Sequence, residues 1–288
     1  MRKILILLSI LILTGTGCSK KDVIKISHKN YTEQRLMGQL LSVYLKDNGY
    51  NTKVVTLGGT MLCFKALETG DIDMYVDYSG TIYGAVFGET EVLPFDETME
   101  FIRNKEDEYK IKTMEPLGFN NTFVLSVTKE TAEELGISTI TDLIPYSKDM
   151  VLGCDLEFSA RADGLVGLME TYEGLEFKSV KNMDQGLTYQ AVDSGEVDVN
   201  VSYSTDGRIE KFGLLNLEDD KKYFPPYDAI PLLEDDFANE NPEVVELLKN
   251  LKGQWTEKDM QKYNLKVEEG ANPKDVARDM LKSKGLID

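Results

Sequence analysis

An internal repeat constrains this chain more than any other feature. Residues 66–79, ALETGDIDMYVDYS, align without a gap on residues 191–204, AVDSGEVDVNVSYS, at a constant offset of 125. Each copy reads as the last turn of a helix, a glycine stop and a strand. The shared residues include the glycine past the helix end (Gly70, Gly195), an aspartate where the strand begins (Asp73, Asp198) and a Tyr-Ser pair where it ends (Tyr78-Ser79, Tyr203-Ser204). Recurrence of a helix–strand unit predicts two α/β lobes of similar build. A chain of 288 residues has room for two domains at roughly 150 residues each.

The flanking sequence extends each copy in the same style. Val23–Ile26 reads as a strand. A helix opens at Glu33 with Leu36, Leu40, Leu41 and Tyr44 on one face and ends near Asn48-Gly49. Thr52–Leu57 is a second strand, Thr60 opens a helix that stops at Gly70, and Ile72–Tyr78 is a third strand. The later half offers strands at 151–153, 177–180 and 197–203, with helices at about 163–172 and 184–194. The last fifty residues read as helices at 242–251, 256–264 and 273–284. This alternation predicts an α/β fold of two lobes, each a mainly parallel sheet flanked by helices. Ligands of open α/β sheets bind at the carboxyl edge of the strands. That edge places Tyr78 on one wall of a cleft and Tyr203 on the other.

Charge and composition remove several function classes. A net charge of −18 argues against phosphate-neutralising contact with nucleic acid. A single histidine, His28, and three cysteines exclude a multi-histidine or a four-cysteine zinc site, and no metal or cofactor is expected. Asp219 and Asp220, as neighbours on one strand, would point to opposite faces and make a poor acid–base pair. No nucleophile motif is present, and the chain does not read as an enzyme. Cys63 and Cys154 read as small buried thiols rather than a disulfide.

Residues 1–17 form an export signal. Arg2 and Lys3 precede an apolar core from Ile4 to Leu13, too short to cross a bilayer of about 30 Å as a helix, and small residues lead to Cys18. A cysteine in that place is the pattern of a bacterial lipoprotein, anchored to the cell membrane from outside, with 18–22 as a polar tether. Gly15 departs from the usual leucine three positions earlier, so ordinary secretion is the alternative.

The chain has 14 tyrosines, several at strand ends or in loops. Tyr227 sits in Phe224-Pro225-Pro226-Tyr227, which cannot be helical. Tyr78, Tyr203 and Tyr227 together suggest a box of ring faces, which attracts a cation at ~0.5–2 kcal/mol per contact and suits a quaternary ammonium that has no N–H to donate. Lys29, after the first strand, and Arg161, before a helix, are candidates for an anionic end of the ligand. Thr81 adds a hydroxyl at a helix start.

Lys29-Asn30-Tyr31-Thr32-Glu33-Gln34, Leu57-Gly58-Gly59-Thr60, Asp77-Tyr78-Ser79-Gly80-Thr81, Pro116-Leu117-Gly118-Phe119-Asn120-Asn121-Thr122, Tyr203-Ser204-Thr205-Asp206-Gly207-Arg208 and Phe224-Pro225-Pro226-Tyr227-Asp228 resemble the substrate-binding proteins of osmoprotectant ABC importers, which take up glycine betaine, carnitine, choline and similar solutes. The resemblance implies a two-lobed periplasmic-binding-protein fold of type II. Lobe 1 would comprise residues 23–120 plus 225–288 and lobe 2 residues 121–224, with hinge crossings near 119–122 and 222–227. It implies an ammonium cage of Tyr78, Phe123 (where tyrosine is usual), Tyr203 and Tyr227, with Asn121 at the cation end. Lys29, Thr81 and Arg161 fall on carboxylate-holding positions, and Gln34 and Thr60 lie near the pocket. The implied partners are an ABC permease and its ATPase, with the binding protein a monomer. The alternatives are a binding protein for another small cation or an amino acid, and a ligand-sensing module.

Overall fold

The computed structural model describes residues 23–160 and 162–288. The segment read as an export signal, Cys18 and Arg161 lie outside the described residues. The chain forms strands β1 (Ile24–His28), β2 (Thr52–Thr56), β3 (Met74–Tyr78), β4 (Ile111–Thr113), β5 (Phe123–Thr128), β6 (Val151–Cys154), β7 (Ser179–Asn182), β8 (Val199–Tyr203), β9 (Leu214–Asn216) and β10 (Ala229–Glu234). The helices that position the site are α1 (Thr32–Asp47), α2 (Thr60–Glu68), α3 (Gln185–Asp193), α4 (Glu257–Glu268) and α5 (Pro273–Ser283).

The strands make two five-stranded sheets, ordered β2-β1-β3-β10-β4 and β7-β6-β8-β5-β9. The two orders coincide when β7, β6, β8, β5 and β9 replace β2, β1, β3, β10 and β4, so each lobe repeats the other. Alternate residues of β3 feed opposite faces of the first sheet, as period-two geometry requires. Met74, Val76 and Tyr78 join the core under α1 and α5, while Tyr75 joins the core under α2. Every residue of β3 is buried, as expected of a strand covered on both sides.

The sheets keep the expected mainly parallel arrangement: four of the five strands in each run the same way, and β10 in the first and β5 in the second run against them. The cause of the reversal lies in the connectivity. β3 and β8 end at the cleft, and β10 and β5 begin there because the chain enters each from the other lobe. A strand that starts where its neighbour stops must run antiparallel to it.

The repeat is reproduced in three dimensions. Gly70 and Gly195 sit at φ of +70° and +73°, the left-handed turn that ends a helix and that glycine adopts without strain. Just beyond, Asp73 accepts the backbone N–H of Lys25 at 2.6 Å, and Asp198 accepts that of Val151 at 2.7 Å. The same carboxylate therefore ties the same pair of strands in both lobes.

Two expectations shift. The segment read as one helix over 163–172 is interrupted at Gly164, whose φ and ψ of −104° and −128° are not helical. A Cβ there would lie 2.0 Å from the carbonyl oxygen of Phe158. Asp219 and Asp220 lie after β9 rather than on a strand, and both are occupied as turn anchors. Asp219 accepts from the Tyr172 hydroxyl and from the N–H groups of Tyr223 and Phe224, and Asp220 accepts from Thr141. Cys63 and Cys154 are buried free thiols, with Cys63 beside the Ser27 hydroxyl. Among the described residues no helix is long and apolar enough to span a membrane.

Candidate functional site

Two chain segments join the lobes, and each is clamped by one Tyr-Ser pair. Asn120 and Asp228 pair across the crossing, and the Asn121 N–H donates to the Tyr227 carbonyl at 2.9 Å. At the end of β3, the Ser79 hydroxyl donates to the Pro226 carbonyl at 2.7 Å and accepts from the Asp228 N–H at 3.0 Å. At the end of β8, the Ser204 hydroxyl donates to the Asn120 carbonyl at 2.6 Å and accepts from the Thr122 N–H at 3.1 Å. The repeated serines fix the crossings, and the tyrosines before them line the cleft, Tyr78 from a buried position.

Sheet register brings the aromatic wall together. Phe123 opens β5 directly opposite Tyr203, the last residue of β8, and their ring centres lie 4.9 Å apart. The Tyr227 ring meets Phe123 edge-on, at 6.3 Å and 87°. It also lies over Gly80, where a Cβ would come within 2.9 Å of its ring, so a larger residue at 80 would displace it. Phe158 and Phe224 back Phe123 at 5.2 and 5.9 Å. Sequence reasoning did not single out these two, because a phenylalanine carries no polar sign of a role. Tyr78, Phe123, Tyr203 and Tyr227 all line one cleft of about 1220 Å³, together with Asn121, Lys29, Thr60 and Thr81.

On the lobe 1 side the charged residues are arranged differently from expectation. The Lys29 ammonium is buried and paired at 2.5 Å with fully buried Asp77. It also donates to the Thr60 hydroxyl at 3.2 Å and lies 5.2 Å from the centre of the Tyr78 ring. Asp77 takes two further donors, the Tyr75 hydroxyl and the Tyr78 N–H. Gln34 bridges the Lys29 N–H and the Val76 carbonyl and so braces β1 against β3. His28 is also structural. Its ring lies against Gly38 of α1 and contacts the Lys29 carbonyl and the Thr56 hydroxyl. Burial lowers its pKa and favours the neutral form.

The residue that sequence reasoning missed is Glu33. It is 3% exposed and lies in the first turn of α1, where helix N–H groups favour a carboxylate. An acidic residue at that position looks in sequence like an ordinary helix start. In the fold its Oε1 accepts from the Tyr78 hydroxyl at 2.6 Å and Asn121 Nδ2 at 2.8 Å, and its Oε2 accepts from Asn264 Nδ2 at 2.8 Å. Thr205 of the second lobe adds a hydroxyl. Burial pushes the carboxyl above its ordinary range, against the opposing pull of these donors. Burial, and then the Glu33 charge, raise the Tyr78 phenol well above its usual value, so it stays a donor.

The second lobe meets α4 along the same edge. Gly207 lies so close to it that a Cβ would be 2.5 Å from that of Leu265. Gln261 donates to the Ser204 carbonyl at 2.7 Å, and Asn264 donates to the Thr205 carbonyl at 3.0 Å. Arg208 grips Asp206 at 2.6 Å, reaches Glu268 at 3.6 Å and stacks on Tyr189 of α3 at 4.4 Å.

Comparison with known proteins places this architecture. Over 304 residues the chain is 30% identical to the carnitine transport binding protein OpuCC of Listeria monocytogenes, covering 100% of this chain and 98% of that one. It is 31% identical over 288 residues to a glycine-betaine-binding protein of Pseudomonas aeruginosa, covering 96% and 92% of the two chains. A solved glycine betaine/carnitine/choline ABC transporter structure superposes with a TM-score of 0.86 at 30% identity, covering 92% of this chain and all of that one. Residues 22–283 match the family model for the substrate-binding domain of ABC-type glycine betaine transport systems, and the chain belongs to that family.

Proposed function

We propose that this protein captures quaternary-ammonium solutes of the glycine betaine, carnitine and choline type outside the cytoplasmic membrane and hands them to an ABC permease driven by its ATPase. It would be held there as a monomer by a lipid on Cys18. The observation that carries this reading is the convergence of Phe123 and Tyr203 from one jaw with Tyr227 and Tyr78 from the other on one cleft. Ring faces attract a trimethylammonium group through their quadrupoles without asking it for a hydrogen bond. In this reading residues 23–120 plus 225–288 form one jaw and residues 121–224 the other. Thr81 and Arg161 hold a ligand carboxylate where the ligand has one, and Lys29 adds positive potential from within its pair with Asp77. Ligand touching both jaws favours the closed form by its differential affinity for that form.

The test is a thermal-shift and calorimetry panel on the purified chain. Glycine betaine, carnitine or choline raises the melting temperature in a dose-dependent way, while amino acids lacking a quaternary nitrogen leave it unchanged. Stabilisation by ordinary amino acids with none from the methylated compounds would replace this reading with amino-acid capture.

A further inference from the structure

We infer that Glu33 is the charge-selecting residue of this site, a fixed negative charge beside the cage that favours a ligand of net positive charge over a zwitterion. The inference rests on the quaternary-ammonium reading above and narrows it. Its first support is geometric. Glu33 lines the cleft together with Tyr78 and Asn121, two members of the proposed cage, and is hydrogen-bonded to both. Its second support is charge bookkeeping around the carboxylate. The donors on it among the described residues are a phenol, two amides and a hydroxyl, all neutral, and no ion pair to it occurs among those residues. A carboxylate buried without a cation is costly and stays only where something offsets it.

The rest of the cleft points the same way. Among its described lining residues six carboxylates (Glu33, Glu89, Glu91, Glu170, Asp206, Glu268) face two cations, Lys29 and Arg208. Both cations already hold an aspartate, Asp77 and Asp206. A ligand with one positive charge and no carboxylate gains from this field without loss. A zwitterion gains at its ammonium and meets these carboxylates with its own, a loss that the Thr81 and Arg161 contacts proposed above have to offset.

Glu33→Gln tests the assignment. The amide keeps the shape, and Asn121 Oδ1, buried without a hydrogen bond, can turn to accept from it. Affinities for choline and glycine betaine are measured by calorimetry on both chains. The expected result is a loss of tenfold or more for choline and of less than threefold for glycine betaine, with Glu33→Asp restoring most of the choline affinity. Equal losses for the two ligands, or no loss for either in a folded variant, overturn the inference and leave the cage standing. A wild-type chain that binds neither ligand overturns the cage reading and this inference together.

If Glu33→Gln does not fold, proton release carries the test. Burial raises the affinity of Glu33 for its proton, so in buffer acid enough to protonate the carboxyl of the free chain, choline binding must drive that proton off. Calorimetry in two buffers of unequal ionisation enthalpy reads the release. The charged and titratable groups that face Glu33 are Tyr78, Tyr31, the Lys29–Asp77 pair, the Asp206–Arg208 pair and Glu268. Glu268, pushed up to about 7, is removed from the measurement by Glu268→Gln. Proton release on choline binding that exceeds the release on betaine binding supports the inference, and no release or equal release overturns it.

Discussion

Lys29 carries two demands that pull against each other. A lysine that grips a ligand carboxylate needs free donors, yet this ammonium is 8% exposed and sits on an aspartate that is fully buried. Such a pair holds by geometry, and breaking one side leaves the other charged and unpaired. Lys29→Met should therefore destabilise the fold by about 3–5 kcal/mol, read by chemical denaturation. Adding Asp77→Asn should return much of that loss, because the stranded charge is gone, the amide oxygen keeps the Tyr78 N–H, and the amide nitrogen can donate to the Tyr75 hydroxyl. A double-mutant cycle without coupling would show that the pair does not act as a unit. Tyr203→Ala makes the opposite prediction. Tyr203 ends its strand facing Phe123 in the cleft, so the variant should stay folded while quaternary-ammonium affinity falls by about tenfold or more, the value of one good ring face. Calorimetry beside a thermal melt separates the two effects, and unchanged affinity would remove Tyr203 from the cage.

The helix–glycine–strand unit shows what a strand-start aspartate does. Asp73 and Asp198 each take an N–H at the start of the neighbouring parallel strand, that of Lys25 and that of Val151. Asp73→Ala and Asp198→Ala should each cost ~1 kcal/mol, typical of one such bond. The two losses should add within about 0.5 kcal/mol because the residues lie in different lobes. Strong coupling between them in denaturant titrations would contradict that independence. These elements also show what sequence could and could not convey. The repeat, its glycine stops and the Tyr-Ser ends were legible because each is a local demand of backbone geometry with a fixed residue type. β10 and its antiparallel direction were not, because Ala229–Glu234 reads locally as one more apolar run and its direction depends on which lobe the chain has just left. Glu33 was hidden for a similar reason. Its role depends on Asn121, Thr205 and Asn264, three residues that share no local pattern with it.

Across the whole molecule, the seam between the lobes is where the fold answers to pH. Glu268, at the end of α4, faces Arg208 of the other lobe. Burial first and Asp206 second hold its pKa at about 7, against the pull of Arg208 and Lys211. At the crossing between lobes, burial and then Glu257 push Asp228 to about 6. A carboxyl raised in this way binds its proton more tightly folded than unfolded. Its contribution to stability is complete below the unfolded value, near 4.5 for Glu268 and 3.8 for Asp228, and is lost as pH rises through the folded one. The carboxyls held low by local donors, Asp142, Asp220 and Asp259, act in the opposite sense and only in stronger acid. The two windows therefore separate. Between pH 5 and 8 the melting temperature of the ligand-free chain should fall, and Glu268→Gln, which cannot ionise, should flatten the part of that fall between pH 5 and 7. A variant whose melting curve tracks the wild type across this range would show that the Glu268 proton is not coupled to folding. A fall that vanishes in Glu268→Gln would mark the contact between α4 and the second lobe as the element that mild acid strengthens.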